Sequence, residues 1–363
     1  MRFLFLESFY GGSHRDFADG LVRFSRYRID LVTLPARFWK WRMRGAALHF
    51  VHEIDDPTIY DGLIVTDLIS LSDIKSLWGV DCPPALVYFH ENQLSYPLPE
   101  GETMDYQFGF TDITTALAAE RILFNSHTHR DSFFKALPGF IRLMPEFKPL
   151  WVVDVLERKS GVLHPGCHFP SQPVVIEKRD SDPPIIVWNH RWEFDKCPDV
   201  FFQVLDGLAD EGREFRIVLM GENFQVVPKP FLSARERYGE KILQYGYVAS
   251  KEEYFHWLQR GDVVVSTAIQ ENFGISIVEA VRCGCLPLLP ARLSYPELIP
   301  RKYHPLCLYT DREDLKARLA LFITSKERYL SERRSLADAV ARYSWERTAA
   351  SYDEELKALA ADR

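Results

Sequence analysis

The sequence has few of the features that build disulfide scaffolds, zinc ribbons or membrane spans. Its 6 Cys among 363 residues lack paired CxxC spacings, which excludes a disulfide framework and a zinc ribbon and favours a reducing compartment such as the cytoplasm. No run of about 18 apolar residues occurs, so no membrane-spanning helix is expected. The first residues, MRFLFLESFYGG, turn acidic too early for a signal peptide and predict a buried strand.

Positive charge is also scarce for a general nucleic-acid-binding protein. The chain has 44 Lys and Arg against 51 Asp and Glu, a formal charge of −7. Contact with an acidic polymer would therefore have to come from a local basic patch. What is present is typical of a globular protein, with 47% hydrophobic and 26% charged residues. At roughly 100–200 residues per domain, the length predicts two domains.

Short apolar runs alternate with helix-length segments along almost the whole chain. They are rich in Val, Ile, Leu, Phe and Tyr and mostly lack polar alternation, which is typical of parallel strands buried on both faces. The predicted strands are Arg2–Leu6, Ile29–Leu34, Gly62–Thr66, Ala85–Phe89, Arg121–Asn125, Gly161–Leu163, Ile185–Asn189, Phe215–Met220, Ile242–Gly246, Asp262–Thr267, Leu286–Leu289 and Leu306–Tyr309. This repeated βαβ pattern predicts an α/β fold in two blocks.

A polar, proline-bearing stretch, Ser171–Pro184, separates the two blocks. We therefore predict an N-terminal domain of residues 1–172 and a C-terminal domain of residues 183–343. The Ala-, Glu- and Leu-rich segment 344–360 predicts a helix that packs back on the N-terminal domain. Two stretches are too long for minimal βαβ connections and are expected to be functional or partly structured: Glu91–Asp112 and Pro138–Ser160.

The second block carries a pair of acids eight residues apart, Glu271 and Glu279. Gly274, at the predicted start of a helix, lets the backbone approach a ligand, and the free N–H groups of a helix N-terminus favour phosphate. If fully helical, the pair would span about 12 Å, close to the reach needed to hold both ends of a nucleotide sugar. A surface Glu279 and a Glu271 that pairs with the helix dipole fit the same spacing.

Two cations, Arg191 and Lys196, follow the first strand of this block. They lie where open α/β sheets bind ligands, and an Arg fork with a Lys point charge would match a diphosphate. The alternative is a solvated charged loop.

The first block carries polar residues at the ends of predicted strands. A glycine turn that opens a helix lets a phosphate or sugar approach the backbone, although a glycine pair is more often a simple tight turn. This turn consists of Gly11, Gly12, Ser13 and His14. His90 follows the strand ALVYF, and Asn125 and Ser126 end the next strand in the same way. We therefore expect these side chains to point into a cleft.

The segment Leu31–His52 has no acid and interleaves aromatic with basic residues, namely Arg37, Trp39, Lys40, Trp41, Arg42 and Arg44. Cations with aromatics suit phosphates and exposed bases together. An amphipathic segment with core Trp residues and solvated cations fits this pattern equally well.

The second block resembles the donor domain of family-four retaining glycosyltransferases of the GT-B fold, through GISIVEA preceded by Glu271 and through Arg191 and Lys196 upstream. The resemblance implies two Rossmann-like, doubly wound parallel-sheet domains that face each other across a cleft. It implies that Arg191 and Lys196 bind the donor diphosphate, that Glu279 holds the ribose and that Glu271 lies near the sugar hydroxyls. Further donor contacts are implied for Asn272, Phe273, Gly274 and Ile275, for Tyr247 and Val248 near the base, and for Gly11, Gly12, Ser13, His14, Asn125 and Ser126.

Motifs across both blocks are similar to the tRNA-queuosine mannosyltransferase family, from about residue 2 to residue 355. They are FYGGSHRDF, TLPARFWKWRMRGAALHF, YFHENQLSYP, YQFGF, FNSHTHRDSF, WNHRWEFDKCPDVFF and NFGISIVEAVRCGCLPLLP. This resemblance implies transfer of mannose, with retention, from GDP-mannose to queuosine in the anticodon of an aspartate tRNA. It also implies tRNA as partner, with acceptor contacts from Arg37, Trp39, Lys40, Trp41, Arg42, Arg44, Glu91, Asn92 and Gln93.

The expected catalytic residues are His90, Arg191, Lys196 and Glu271. No DxD motif stands at a suitable strand end, so we expect no metal and no cofactor beyond the donor itself. Two other functions fit the residues: a family-four glycosyltransferase with a lipid or polysaccharide acceptor, and a non-catalytic nucleotide-sugar- or RNA-binding protein.

Overall fold

The computed structural model describes residues 1–99, 101–170, 183–222 and 227–362. These residues form two compact units, one of Met1–His168 with Tyr343–Arg363 and one of Phe169–Arg342. Most of the predicted boundary stretch, residues 171–182, lies outside the described residues. Within the described ranges, no helix is both long and apolar enough to cross a membrane.

Six parallel strands form the sheet of the first unit. They are β1 (Arg2–Tyr10), β2 (Arg28–Pro35), β3 (Gly62–Thr66), β4 (Ala85–Phe89), β5 (Arg121–Phe124) and β6 (Ser160–Val162). Their order is β2-β1-β3-β4-β5-β6, so the winding direction reverses between β1 and β3. Open α/β sheets bind ligands at such a switch point, outside the carboxyl ends of the strands.

Helices cover both faces of this sheet because its strands are apolar on both faces. Along β1, Leu4 and Leu6 join one core and Phe3 and Phe5 the other, as the twofold alternation of strand side chains requires. The helices are α1 (Gly12–Phe24), α2 (Trp39–Glu53), α3 (Leu71–Trp78), α4 (Tyr106–Ala118), α5 (His127–Arg142) and α6 (Trp151–Arg158). Residues of α2 to α6 pack with Leu4 and Leu6, and residues of α1 with Phe3 and Phe5.

The second unit is built around another six-stranded parallel sheet. Its strands are β7 (Ile185–Trp188), β8 (Arg216–Leu219), β9 (Ile242–Tyr245), β10 (Val263–Val265), β11 (Leu286–Pro290) and β12 (Leu308–Tyr309). They lie in the order β12-β11-β10-β7-β8-β9, which places the switch point between β7 and β10.

The helices of the second unit connect these strands and flank the sheet. They are α7 (Pro198–Asp210), α8 (Lys229–Tyr238), α9 (Lys251–Arg260), α10 (Ile275–Arg282), α11 (Tyr295–Leu298), α12 (His304–Cys307), α13 (Arg312–Ser325) and α14 (Leu330–Val340). With the first unit, they complete two doubly wound parallel sheets, as the sequence predicted.

The last helix, α15 (Trp345–Ala360), belongs to the first unit. Its Trp345 is fully buried in the core formed by Phe3, Phe5 and α1. A Cβ atom added to Gly20 of α1 would lie 2.0 Å from the Trp345 ring, so this contact requires glycine.

All twelve predicted strands overlap a strand of the structure, β1 extends beyond its predicted end, and the two stretches expected to be functional or partly structured contain helical segments. Strand β1 continues past Leu6 to Tyr10, because Glu7 is buried there and finds polar partners. Helix α5 runs through Pro138, and α6 lies in the same stretch, which was too long for a simple connection. In Glu91–Asp112, helix α4 begins at Tyr106 after an Asp105 cap.

Candidate functional site

In the second unit, the loops that follow β7 and β10 lie side by side because these strands are adjacent and parallel. The loop after β7 carries Arg191 and Lys196, and the loop after β10 carries Glu271 and leads into α10. The structure thus brings Lys196 and Glu271, 75 residues apart in sequence, to 3.4 Å. This contact lies at the switch point of the sheet, where the strand order predicts a ligand site.

Lys196 is a buried cation held by two carboxylates. Its Nζ lies 2.6 Å from the Gln270 carbonyl oxygen, 3.1 Å from an Asp195 carboxylate oxygen and 3.4 Å from one of Glu271. Burial disfavours the ammonium, but Glu271 and Asp195 outweigh burial and raise the pKa of Lys196 above its ordinary value. The side chain therefore presents a permanent, fixed positive charge beside Glu271.

Arg191 is the exposed counterpart of Lys196 in the same loop. Its guanidinium pairs with Glu193 at 3.2 Å, and its side chain is 44% exposed. A guanidinium presents several N–H donors in a fork that matches phosphate oxygens. The loop after β7 therefore supplies one buried and one exposed cation.

Helix α10 is preceded by Gly274, whose backbone conformation favours glycine. Gly274 has φ +102°, a left-handed value that side chains disfavour, and its added Cβ would lie 3.6 Å from Glu271 Cγ. Gly274 has no side chain to cap the helix, so it leaves the first N–H groups of α10 to another acceptor. The carbonyl of buried Phe273 accepts a hydrogen bond from Ser294 Oγ at 2.7 Å, and Asn272 Oδ1 accepts one from Gln270 Nε2 at 3.0 Å.

Glu279, one turn into α10, points inward rather than to solvent. Its side chain is 4% exposed. The Tyr254 hydroxyl donates to its Oε2 at 3.0 Å, and Lys251 Nζ lies 2.9 Å from its Oε1. This geometry is incompatible with the alternative of a surface Glu279.

The two residues expected near a nucleobase follow β9. Tyr247 is 64% exposed and Val248 is half-buried. An exposed aromatic ring is available for stacking on a base, which remains a prediction for this residue.

In the first unit, a buried acid stands at the switch point. Glu7 of β1 lies beside Thr66 of β3 and is fully buried. It accepts hydrogen bonds from the Thr66 hydroxyl at 3.2 Å and the Phe9 N–H at 2.8 Å, and its Oε2 lies 3.3 Å from His14 Nδ1. The sequence prediction missed Glu7 because it ended β1 at Leu6.

Two predicted histidines meet beside Glu7, and one of them is charged whereas the other is neutral. The rings of His14 and His90 lie 4.1 Å apart, centroid to centroid. Burial disfavours a charged His14, but Glu7 outweighs it, and Asp67 and Glu91 add to Glu7 in raising the pKa of His14 to about 9. Burial, and then the charge of His14, hold the pKa of His90 well below its ordinary value. At neutral pH, His14 is a cation and His90 is neutral.

Hydrogen bonds connect His90 to the neighbouring strands. Its backbone N–H donates to Asp67 Oδ1 at 2.8 Å, and Asn125 Nδ2 donates to its carbonyl oxygen at 2.9 Å. Asn125 Oδ1 lies 2.8 Å from Nδ1 of His129. Burial raises the pKa of Asp67 to about 7 against the opposing charge of His14. The carboxyl edge of this sheet is therefore a connected, buried polar cluster.

In the loop after β4, residues predicted to contact the acceptor substrate form hydrogen bonds within the loop. Asn92 Oδ1 accepts from the backbone N–H groups of Leu94 and Ser95 at 3.1 and 2.9 Å, a local turn of the kind Asn favours. Gln93 Nε2 donates to Glu91 Oε1 at 3.1 Å. Asn92 is 1% exposed, whereas Glu91 and Gln93 are half-buried.

The predicted glycine turn and Ser126 both lie at helix starts. Gly11 precedes α1 and packs so close to Ala36 that its added Cβ would lie 2.4 Å from Ala36 Cβ. Gly12 has φ +50° with open space around it, and Ser13 is exposed. Ser126 caps α5 by accepting the His129 N–H at 2.9 Å.

The two tryptophans of the basic segment have different environments. Trp39 is half-buried, and its ring packs 5.1 Å from that of Phe108. Trp41 is 77% exposed. The two interpretations of this segment therefore each hold for one ring: Trp39 packs, and Trp41 faces solvent.

Among the described residues, the four cations of this segment form no ion pair with an acid. Lys40 and Arg44 are exposed one helical turn apart on α2, and Arg44 donates to Gln107 Oε1 at 3.1 Å. Arg37 is exposed before the helix, whereas Arg42 is half-buried and reaches toward the Pro35 carbonyl at 3.4 Å. Met43 of α2 packs with Leu68, which follows β3, so α2 begins near the polar cluster.

In the part of the chain that the structure describes, one group has donor atoms close enough to share a metal ion. It consists of Glu7, His14 and His90, whose ligand atoms lie within 4.8 Å of one another. The same group can hold a proton in place of a metal ion, because protonated His14 forms an ion pair with Glu7 at 3.3 Å. The expectation of metal-independent chemistry is therefore best tested at these three residues.

Comparison with known proteins identifies the family. A family model described as tRNA-queuosine alpha-mannosyltransferase N-terminal matches residues 2–167, and one described as glycosyl transferases group 1 matches residues 174–339. A Drosophila melanogaster protein named tRNA-queuosine alpha-mannosyltransferase is 35% identical over 309 residues, which cover 82% of each chain. The chain belongs to the tRNA-queuosine alpha-mannosyltransferase family. It is therefore a glycosyltransferase.

More distant relatives extend this result to the fold. A GDP-mannose:cellobiosyl-diphosphopolyprenol alpha-mannosyltransferase from Xanthomonas campestris is 22% identical over 249 residues, 68% of this chain and 60% of that protein. The structure of sucrose-phosphate synthase from Thermosynechococcus elongatus matches 100% of both chains with a TM-score of 0.77 at 13% identity. The predicted GT-B fold of this glycosyltransferase is confirmed.

The sequence prediction missed several polar residues of this glycosyltransferase that contact predicted ones. They are Glu7, Asp67, His129, Asp195, Lys251 and Tyr254. Glu7 carried a sequence signal as an acid directly after an apolar run, and His129 and Asp195 lie within the motifs FNSHTHRDSF and WNHRWEFDKCPDVFF. Asp67, Lys251 and Tyr254 become recognisable only when the fold brings distant segments together.

Proposed function

We propose that the chain transfers mannose, with retention, from GDP-mannose to queuosine in the anticodon of an aspartate tRNA. The observation that carries this proposal is the 35% identity with the Drosophila protein over 82% of the chain, which includes both units. The N-terminal family model supports the acceptor assignment, because its residues 2–167 cover almost the whole N-terminal part of the first unit.

In the proposed reaction, the bond between the mannose C1 and the diphosphate oxygen breaks, and a bond from C1 to a queuosine hydroxyl oxygen forms. The hydroxyl proton passes to the departing phosphate. Lys196, Arg191 and the first N–H groups of α10 stabilise the charge that develops on the diphosphate, as preorganised donors do. Glu271 positions the sugar, and neutral His90 remains a predicted catalytic residue of the first unit. Because these cations supply the charge that a divalent ion supplies elsewhere, we propose that no metal is required.

In the first unit, we propose that the start of α2 contacts the anticodon arm. Lys40 and Arg44 would bind phosphates, and the exposed Trp41 would stack on a base. Their contact with RNA would be local and short-ranged, because the whole chain carries −7.

A lipid-linked acceptor is the second candidate. The name of the Xanthomonas relative specifies a polyprenol-linked substrate. An exposed Trp beside cations also suits a membrane surface. The identity with that relative is lower than with the Drosophila protein, which favours tRNA.

Transfer of radiolabelled mannose from GDP-mannose tests the acceptor. Three acceptors are compared: aspartate tRNA with queuosine, the same tRNA without queuosine, and liposomes that contain a polyprenyl-diphosphate glycan. We expect label in the queuosine-containing tRNA alone. Label in the liposomes, or equal label in both tRNAs, would contradict the proposed acceptor.

A further inference from the structure

Helix α9 of the second unit places two side chains on the carboxylate of Glu279. The Tyr254 hydroxyl donates to Oε2 at 3.0 Å, and Lys251 Nζ lies 2.9 Å from Oε1. Glu279 is 4% exposed and Lys251 44% exposed, so the lysine reaches from the surface to a buried acid. Both carboxylate oxygens are therefore engaged from the same helix.

Tyr254 is itself held in place by Asn189, the residue that follows β7. Asn189 Nδ2 donates to the Tyr254 oxygen at 3.1 Å and to the Ser276 carbonyl oxygen of α10 at 2.8 Å. One amide thus joins the end of β7, α9 and α10. Because the Tyr254 oxygen accepts from Asn189, its proton points to Glu279.

The pKa of Tyr254 agrees with a hydrogen bond that its hydroxyl donates to Glu279. Burial, and then the charge of Glu279, hold the pKa of the Tyr254 hydroxyl well above its ordinary value. The hydroxyl therefore remains a donor throughout the neutral range, and Glu279 remains its acceptor.

We propose that Tyr254 and Lys251 are positioning residues that set the Glu279 carboxylate for the ribose hydroxyls of the donor nucleotide. The inference deepens the proposed function, and it rests on the contact of Glu279 with the ribose that the resemblance to family-four glycosyltransferases implies. Tyr254 fixes the orientation of the carboxylate. Lys251 balances its charge, which would otherwise repel a nearby diphosphate.

Specificity for ribose over 2′-deoxyribose gives a readout that a merely structural role would not move. The affinities of GDP and 2′-deoxy-GDP are measured by calorimetry for the wild type and for Tyr254→Phe, which removes only the hydroxyl. If Tyr254 orients Glu279, the wild type binds GDP more tightly than 2′-deoxy-GDP. In the variant the ratio of the two affinities falls about tenfold, as expected for one hydrogen bond to a charged group. Melting temperatures establish that both proteins are folded.

The matched control is Tyr238→Phe in the same unit. The Tyr238 hydroxyl donates to Asp206 at 2.6 Å, so this substitution also removes a tyrosine–carboxylate hydrogen bond. It lies between α8 and α7 rather than beside Glu279. We expect its ratio of GDP to 2′-deoxy-GDP affinity to equal that of the wild type.

Lys251 is tested through the Michaelis constant for the nucleotide sugar. Lys251→Met should raise this constant several-fold with little change in kcat, and Lys251→Arg, which keeps the charge, should restore it. Lys241→Met is the control, because Lys241 pairs with Glu214 at 3.3 Å away from α9. An unchanged Michaelis constant in Lys251→Met would overturn the role of Lys251.

The outcomes separate this inference from the proposed function. A wild type that prefers GDP, together with a Tyr254→Phe variant that keeps the full preference, overturns the role of Tyr254 and leaves the proposed function intact. A wild type that binds both nucleotides equally overturns the ribose assignment of Glu279, and with it this inference. A preference that falls in Tyr254→Phe and stays in Tyr238→Phe supports it.

Discussion

Both units of this glycosyltransferase hold a buried ion pair at the switch point of their sheet, but the charged residues differ. At the switch point of the second unit, the buried cation Lys196 stands between Asp195 and Glu271. At that of the first unit, the buried acid Glu7 stands beside His14. The strand order therefore predicts a ligand site at each switch point, whereas the side chains there differ between the units.

The units also differ in how their cations are held. Lys196 is 8% exposed and bound to two carboxylates, which suits a charge that must stay fixed during a reaction. Lys40 and Arg44 on α2 are exposed and, among the described residues, form no ion pair, which suits contact with an acidic polymer. The comparison predicts that the two sets of cations act on different substrates.

The largest effect is expected from removing the buried cation. Lys196→Met should lower kcat by about 100- to 1000-fold, the usual result of losing a preorganised donor to a developing charge. Because it also leaves Asp195 buried without its cation, the melting temperature should fall. Arg191→Met removes an exposed cation and should lower kcat without changing the melting temperature.

Lys241→Met serves as the control for general effects of losing a lysine in this unit. Normal turnover in a folded Arg191→Met and a folded Lys196→Met would contradict the assignment of this loop to the leaving group.

The acid–histidine pair of the first unit should make stability depend on pH. The pKa of His14 is raised to about 9 from the ordinary 6.5, so its stabilisation is complete below pH 6.5 and is lost as pH rises through about 9. At about 1.4 kcal/mol per pKa unit, the loss is on the order of 3 kcal/mol. Urea unfolding of the wild type and of His14→Gln at several pH values measures it. A stability difference that does not change between pH 6 and pH 9.5 would refute the ion pair.

Charge reversal on α2 should affect tRNA and spare the donor. Lys40→Glu with Arg44→Glu should raise the Michaelis constant for tRNA and reduce its log–log salt slope by about 0.7–0.9 per lost phosphate contact. The affinity for GDP should stay unchanged. Arg312→Glu with Lys316→Glu reverses two cations with the same spacing on α13 and is the control. An unaltered salt slope in the α2 variant would mean that these cations are merely solvated.

The smallest effect is expected from metal removal. EDTA treatment should leave activity unchanged, and the purified protein should carry no stoichiometric metal, if Glu7, His14 and His90 hold a proton rather than an ion. Activity that falls with EDTA and returns with Zn²⁺ or Mn²⁺ would show the opposite. Loss of that metal response in Glu7→Gln would locate the ion at this group.

Much of the fold could be predicted from the sequence because buried parallel strands are continuous apolar runs. Strands β3 and β4 have the predicted bounds, since all their residues are buried and polar or proline residues flank them. The C-terminal end of helix α5 could not be predicted, because Pro138 usually ends a helix and here the helix continues to Arg142.

The candidate sites could be predicted from the sequence less completely than the fold. Arg191, Lys196 and Glu279 lie in a recognisable pattern, but the contact of Glu279 with Tyr254 depends on how α9 and α10 lie in the fold. In the first unit, the pairing of Glu7 with Thr66 depends on β1 lying next to β3, a long-range property of strand order. Whether Trp39 or Trp41 packs likewise depends on Phe108, which lies on another helix.

Mass spectrometry of nucleosides tests the central claim most directly. Aspartate tRNA that contains queuosine is incubated with the chain and, separately, with GDP-mannose, GDP-fucose, UDP-glucose and UDP-galactose, then digested to nucleosides. We predict that GDP-mannose alone converts queuosine into a nucleoside heavier by one hexose. Queuosine that stays unmodified with every donor, or that gains a hexose from a UDP-sugar instead, would contradict the account.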